Sequence, residues 1–191
     1  MASFGANNPY FCKVKEEPEG ALPTYEGDPV KIGQLVKADL TLQMASGKLY
    51  ADDHLVESVD EFVSGSIAME TDDVLDEVAS VVYGTSVEDK LVRYNTADDP
   101  PPGGLAYYKR LIRDKRVLFK AYFYPLVKAA LGNDSAQTKT DSITFATTAT
   151  TFTVFACKNG DWRHTEELAT EAEALAWVKS RFAPAAGGAA G

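Results

Sequence analysis

Between Leu35 and Met44 the chain changes character at every residue: Val36, Ala38, Leu40, Leu42 and Met44 fall on one side, Lys37, Asp39, Thr41 and Gln43 on the other. A period of two belongs to the β-strand, because successive side chains leave opposite faces of a pleated backbone. The segment is therefore a strand with one apolar and one polar face. Alternation returns in residues 62–70, where Val63, Ile67 and Met69 oppose Phe62, Ser64, Ser66 and Glu70, and the two strands are expected to pair. The period then lengthens. In residues 72–83, Leu75, Val78, Ala79 and Val82 follow spacings of three and four, with Asp72 or Asp73 available as a cap and Gly84 to close the end, which predicts an amphipathic helix. Residues 105–112 and 117–126 are aromatic and β-branched around a charged turn at 113–116, the pattern of a hairpin. A short strand is expected at 10–14, a long strand or a kinked pair over 142–157, and a terminal helix at 166–182, where Leu168, Ala172, Leu175, Trp177 and Val178 are helically spaced. Many strands, few helices and no βαβ alternation give a mainly β fold with a flanking α-helix, an antiparallel β-sandwich or open barrel.

The segments between divide the chain. Residues 1–9 form an N-terminal arm with no local partner, 10–165 a single β domain, 166–182 the C-terminal helix and 183–191 a flexible Ala/Gly tail. Residues 45–61 are polar but carry Leu49, Tyr50, Leu55 and Val56, and are expected to be a long loop that docks on something. Residues 95–104, with three successive prolines and two glycines, are expected to be a surface turn.

Composition narrows the function. At 191 residues one core is expected, and 45% apolar with 25% charged residues is the balance of a folded protein. A net charge of −9 argues against bulk attraction to nucleic acid. No apolar run is long enough for a membrane helix, and the first residues do not resemble a secretory signal, so the expected site of synthesis is cytoplasm. Cys12 and Cys157 are too few for a disulfide framework and are expected to be buried free thiols.

Candidate chemistry is sparse. Asp52, Asp53 and His54 suggest a metal or acid–base group, but no further His or Cys stands nearby, and an interface or solvated loop is the better reading. Lys109, Arg110, Arg113, Lys115 and Arg116 form the one basic cluster; against the net negative charge, a solvated hairpin tip or a complement to acidic loops of a neighbouring subunit is a better reading than a phosphate contact. Tyr107, Tyr108, Phe119, Tyr122, Phe123 and Tyr124 suit core packing or an interface better than base stacking. No nucleophile elbow, phosphate loop or metal-ligand spacing is present, so no enzyme and no cofactor are expected.

The stretches KLYADDHLVESVDEFVSGSIAMETDDVLDEVASVVYG (48–84), YYKRLIRDKRVLFKAYFYPLVKAAL (107–131), TDSITF and NGDWR (159–163) together resemble the major tail, or tail tube, proteins of long-tailed phages with non-contractile tails. The likeness spans roughly residues 10–165 and lies in the order of elements, while the terminal helix and tail depart from it. The resemblance implies a sandwich of two antiparallel sheets with a packed helix, six-fold rings stacked into a hollow tube, and a loop that reaches neighbouring subunits. Here that loop is 45–61, and its implied interface residues are Lys48, Leu49, Tyr50, Asp52, Asp53, His54, Leu55, Val56 and Glu57. The implied partners are other copies of the chain, the tape-measure protein, a tail terminator, distal tail proteins, and genomic DNA passing without sequence-specific binding. The implied location is the virion tail, after assembly in the host cytoplasm. A terminator or head–tail joining ring, or a soluble β-sandwich binding module, are the alternatives.

Overall fold

The computed structural model describes residues 2–51, 54–88, 91–131 and 147–183. One antiparallel sheet of eight strands dominates. Its strands are β1 (Ala2–Glu16), β2 (Thr24–Lys31), β3 (Leu35–Ala51), β4 (His54–Thr71), β7 (Pro102–Arg113), β8 (Arg116–Leu131), β9 (Thr148–Val154) and β10 (His164–Leu168). They lie in the order β2-β1-β7-β8-β9-β4-β3, with β10 on the free part of the β8 edge. A small ribbon, β5 (Ser86–Glu88) with β6 (Leu91–Arg93), stands apart, and two helices complete the fold, α1 (Asp76–Tyr83) and α2 (Glu171–Ser180). The expected pairing of 35–44 with 62–70 and the expected hairpin around 113–116 are both present. The fold is mainly β, as expected. A second large sheet is not seen among the described residues; instead the single sheet curls until β3 meets β1.

The central strands are buried on both faces, which explains why 103–108 reads as a continuous apolar run rather than an alternation. Inside the curl, Phe11, Tyr107, Tyr124, Val127, Phe152 and Val154 pack with Ile67 and Met69 and with Val78, Ala79 and Val82 of α1. Outside it, Cys12, Ala106, Tyr108, Ala121 and Phe123 are covered by Ala174, Trp177 and Val178 of α2. Adjacent residues Tyr107 and Tyr108 thus belong to opposite cores.

Several expectations need correction. The N-terminal arm is no free arm: β1 runs from Ala2 beside β7, with Ala2 opposite Ile112. Its partner is about a hundred residues away, beyond the reach of any local pattern. Gly103 and Gly104 belong to β7 and not to a turn, because their missing side chains make room for aromatic rings. A Cβ on Gly103 would stand 2.2 Å from the Phe11 ring, and one on Gly104 2.6 Å from the Tyr25 ring.

Helix α1 starts at Asp76 rather than 72, since Asp72 and Asp73 spend their carboxylates on loop amides: Asp72 accepts from Gln34 at 2.6 Å, Asp73 from Val74 at 2.7 Å. Gly84 closes it in the left-handed region, φ 72°, as expected. The second helix begins at Glu171 because residues 164–168 are used as β10, and Thr170 with Glu173 forms a reciprocal capping box. The expected strand 142–157 is seen as β9 from Thr148; its first residues, like 184–191 of the expected tail, lie outside the described residues.

Candidate interaction site

The expected loop at 45–61 is replaced by strand. β3 and β4 stay paired from Leu35–Thr71 to Ala51–His54, with register shifts after Leu35, Gln43 and Leu49. The polar composition that suggested a loop has another cause: along 45–48 and 58–61 the ribbon has no core beneath it, so neither face selects apolar residues. Residues 41–48 and 58–61 are exposed on both faces. β4 leaves β9 at Gly65, the last paired position, and eleven further residues carry it to His54, an arm of roughly 35 Å at about 3.3 Å per residue.

The arm is fixed at its root. Opposite Gln43 stands Ser64 and opposite Met44 stands Phe62, so Val63 is the extra residue of a β-bulge. The bulge changes the phase of the alternation, which corrects the expected faces. Phe62 turns to pack on the core, its ring stacked on Trp162 with centroids 4.5 Å apart and planes 8° from parallel, while Val63 is left 55% exposed. The Arg163 guanidinium covers Trp162 at 4.6 Å. Leu42, Met44 and Val59 are also exposed apolar groups on the arm.

Of the expected interface residues, Lys48 is an exposed side chain opposite Ser58. Leu49, Tyr50, His54, Leu55, Val56 and Glu57 are placed by their backbone in the last rungs of the ribbon, Leu49 opposite Glu57 and Tyr50 opposite Leu55. Asp52 and Asp53 lie outside the described residues. The proximal outer surface of β3, β4 and β9 is a separate, polar wall of Lys37, Asp39, Thr41, Gln43, Ser64, Ser66, Glu70, Thr151 and Thr153, with Lys37 and Asp39 ion-paired at 2.6 Å.

The basic cluster sits on the β7–β8 hairpin, but its members have different surroundings. Arg113 forms a fork with Glu167, both N–O distances 2.9 Å, which ties the hairpin to β10. Lys109 lies over the Tyr107 and Tyr122 rings at 5.8 and 5.5 Å. Lys115 and Arg116 stand exposed at the turn, where Asp114 and Lys115 have φ of 51° and 63°, the signature of a two-residue hairpin turn. The six aromatics divide among the two cores as packing groups, and none forms an exposed stacking platform.

A second polar group was not visible in the sequence. Tyr108 donates to Glu171 at 2.7 Å and accepts from Asn8 at 2.6 Å, joining β1, β7 and α2, while the Trp177 indole donates to Glu166. Burial, then the Glu171 carboxylate it donates to, pushes the Tyr108 hydroxyl up to about 12. Burial likewise raises the Cys157 thiol to about 12. Both cysteines are buried and free, as expected. Among the described residues no three His, Cys, Asp or Glu side chains converge as a metal would require, and no helix is long and apolar enough to cross a membrane. No protein-family model matches the sequence, and no curated protein matches it.

Proposed function

We propose that this chain is the tail tube subunit of a long-tailed phage with a non-contractile tail, forming stacked six-membered rings around a tape-measure protein and later a channel for DNA. One observation carries the reading: a two-stranded arm whose residues 41–48 and 58–61 are exposed on both faces. An isolated hairpin is marginal in water, and its unpaired edges invite pairing with another chain, so a ribbon of this length gains its stability from neighbours. The curled single sheet supports an open barrel of the tube type. The polar wall on β3, β4 and β9 suits a wet lumen, and the net charge of −9 suits a conduit whose wall does not hold DNA.

The test replaces residues 48–58 with Asn-Gly, joining the opposed pair Gly47 and Val59 through a two-residue turn. Concentrated wild-type protein is expected to give cylinders in electron micrographs, and the shortened variant a folded protein without cylinders. Normal tubes from the variant refute the role of the arm. Isolated wild-type rings that never stack point instead to a terminator or joining protein.

A further inference from the structure

The arm and the basic hairpin leave the molecule at the same end. Gly65 is opposite Val154, and Val154 is opposite Val127, so these three residues mark one level of the sheet. β4 and β8 are each antiparallel to β9 and therefore run in the same direction. Eleven residues back from that level lie His54 on β4 and Arg116 on β8. β9 between them ends at the common level, β10 takes the β8 edge beyond it at Phe119–Phe123, and the sheet twist of about 20–25° per strand step fans the two hairpins apart. Among the described residues the arm accordingly makes no extended contact with the β7–β8 hairpin of its own chain.

Their charges are opposite. Residues 49–61 hold Asp52, Asp53, Glu57, Asp60 and Glu61 with no Lys or Arg, whereas 109–116 hold five cations and one carboxylate, Asp114; Arg113 is taken up by Glu167, which leaves Lys115 and Arg116 as the cations presented at the turn. Among the described residues, Asp60, Glu61, Lys115 and Arg116 form no ion pair. In a chain of net charge −9, this concentration of cations at one turn makes it the natural receiver of an acidic segment. The whole arm, roughly 35 Å, is nearly as long as a folded chain of this size is wide, roughly 40 Å, and Asp60 and Glu61 lie in its root half, five and four residues beyond Gly65, close enough to the body of the fold to meet an abutting copy.

We propose that the arm of each copy docks across the β7–β8 turn of its neighbour in the same ring, Asp60 and Glu61 facing Lys115 and Arg116. Donor and receiver project from the same end, but Asp60 lies about six strand residues short of the level of Arg116, so the contact forms between copies that point the same way and are offset by roughly 20 Å along the strand direction. It is a heterologous contact that repeats around a ring. The inference rests on the ring-forming reading given above and deepens it by naming the receiving surface.

Charge reversal tests it in the full chain. Lys115→Glu with Arg116→Glu, and separately Asp60→Lys with Glu61→Lys, are each expected to raise the concentration needed for ring formation by at least about tenfold at low salt. Combining all four is expected to restore assembly, while circular dichroism shows every variant folded. A second measurement mixes two chains, one carrying Asp60→Cys and the other Lys115→Cys; oxidation is expected to link one to the other and neither to itself. Wild-type rings that tolerate both reversals, with no mixed disulfide, overturn this contact and leave the ring reading standing. A turn reversal that assembles normally but abolishes salt-sensitive binding to a DNA duplex overturns it in favour of nucleic acid. Wild-type protein that forms no rings overturns both.

Discussion

The pin at the arm root can be measured directly. Phe62→Ala removes a half-buried ring stacked on Trp162. The stacking itself is worth about 0.5–1.5 kcal/mol beyond burial, and partial exposure of the cavity left behind adds roughly 1 kcal/mol. The single substitution should therefore cost about 1.5–2.5 kcal/mol. For a chain of this size each kcal/mol moves Tm by about 2–4 °C, giving a fall of roughly 3–10 °C. Trp162→Ala also loses the Arg163 guanidinium above its ring, so only a double-mutant cycle isolates the pair. Urea unfolding of dilute protein followed by far-ultraviolet circular dichroism gives the four free energies without relying on tryptophan emission. A coupling near 1 kcal/mol is expected; effects that add to within about 0.3–0.5 kcal/mol would refute the stack as the pin of the arm.

Phe152→Ala, in the fully buried inner core against Phe11, should cost about 3–5 kcal/mol by urea unfolding, whereas Phe155→Ala, 39% exposed, should cost far less. Gly103→Ala should lose about 1–3 kcal/mol, since its methyl group meets the buried Phe11 ring, and Phe11→Leu in the same chain should recover part of that loss. Alkaline stability should follow Cys157. Its thiol is raised from 9.0 to about 12 in the folded chain, so the unfolded chain gives up the proton first. That contribution is intact below pH 9 and fades as pH rises toward 12; Tm of Cys157→Ala should fall less steeply across this window than that of wild type. Thr170→Ala should cost about 1 kcal/mol through the lost capping box and free the C-terminal helix to exchange faster.

Much of the fold was legible where side-chain periodicity and a nearby partner coincide. The hairpin around 113–116 and the pairing of 35–44 with 62–70 follow from alternation, and Gly84 marks the end of α1 through its left-handed φ. What escaped depends on distance or on the absence of a core. β1 pairs with a strand about a hundred residues on, and Gly103–Gly104 reads as a turn until Phe11 and Tyr25 are known to lie over it. The arm misled in a more instructive way. Polar residues at 45–61 mimic a loop because a strand without a sheet beneath it has no reason to alternate, and the bulge at Val63 hides which of two adjacent apolar residues faces inward. The basic cluster could be found by composition, but not that Arg113 is tied to Glu167 while Lys115 and Arg116 remain presented at the turn.

Hydrogen exchange resolved along the chain tests most directly whether copies complete one another. In dilute protein the amides of 41–48 and 58–64 should exchange far faster than those of β7 and β8, and in assembled particles they should slow by at least about a hundredfold as the arm gains partners. Equal exchange of the arm before and after assembly, or a chain that stays monomeric at every concentration reached, would contradict it.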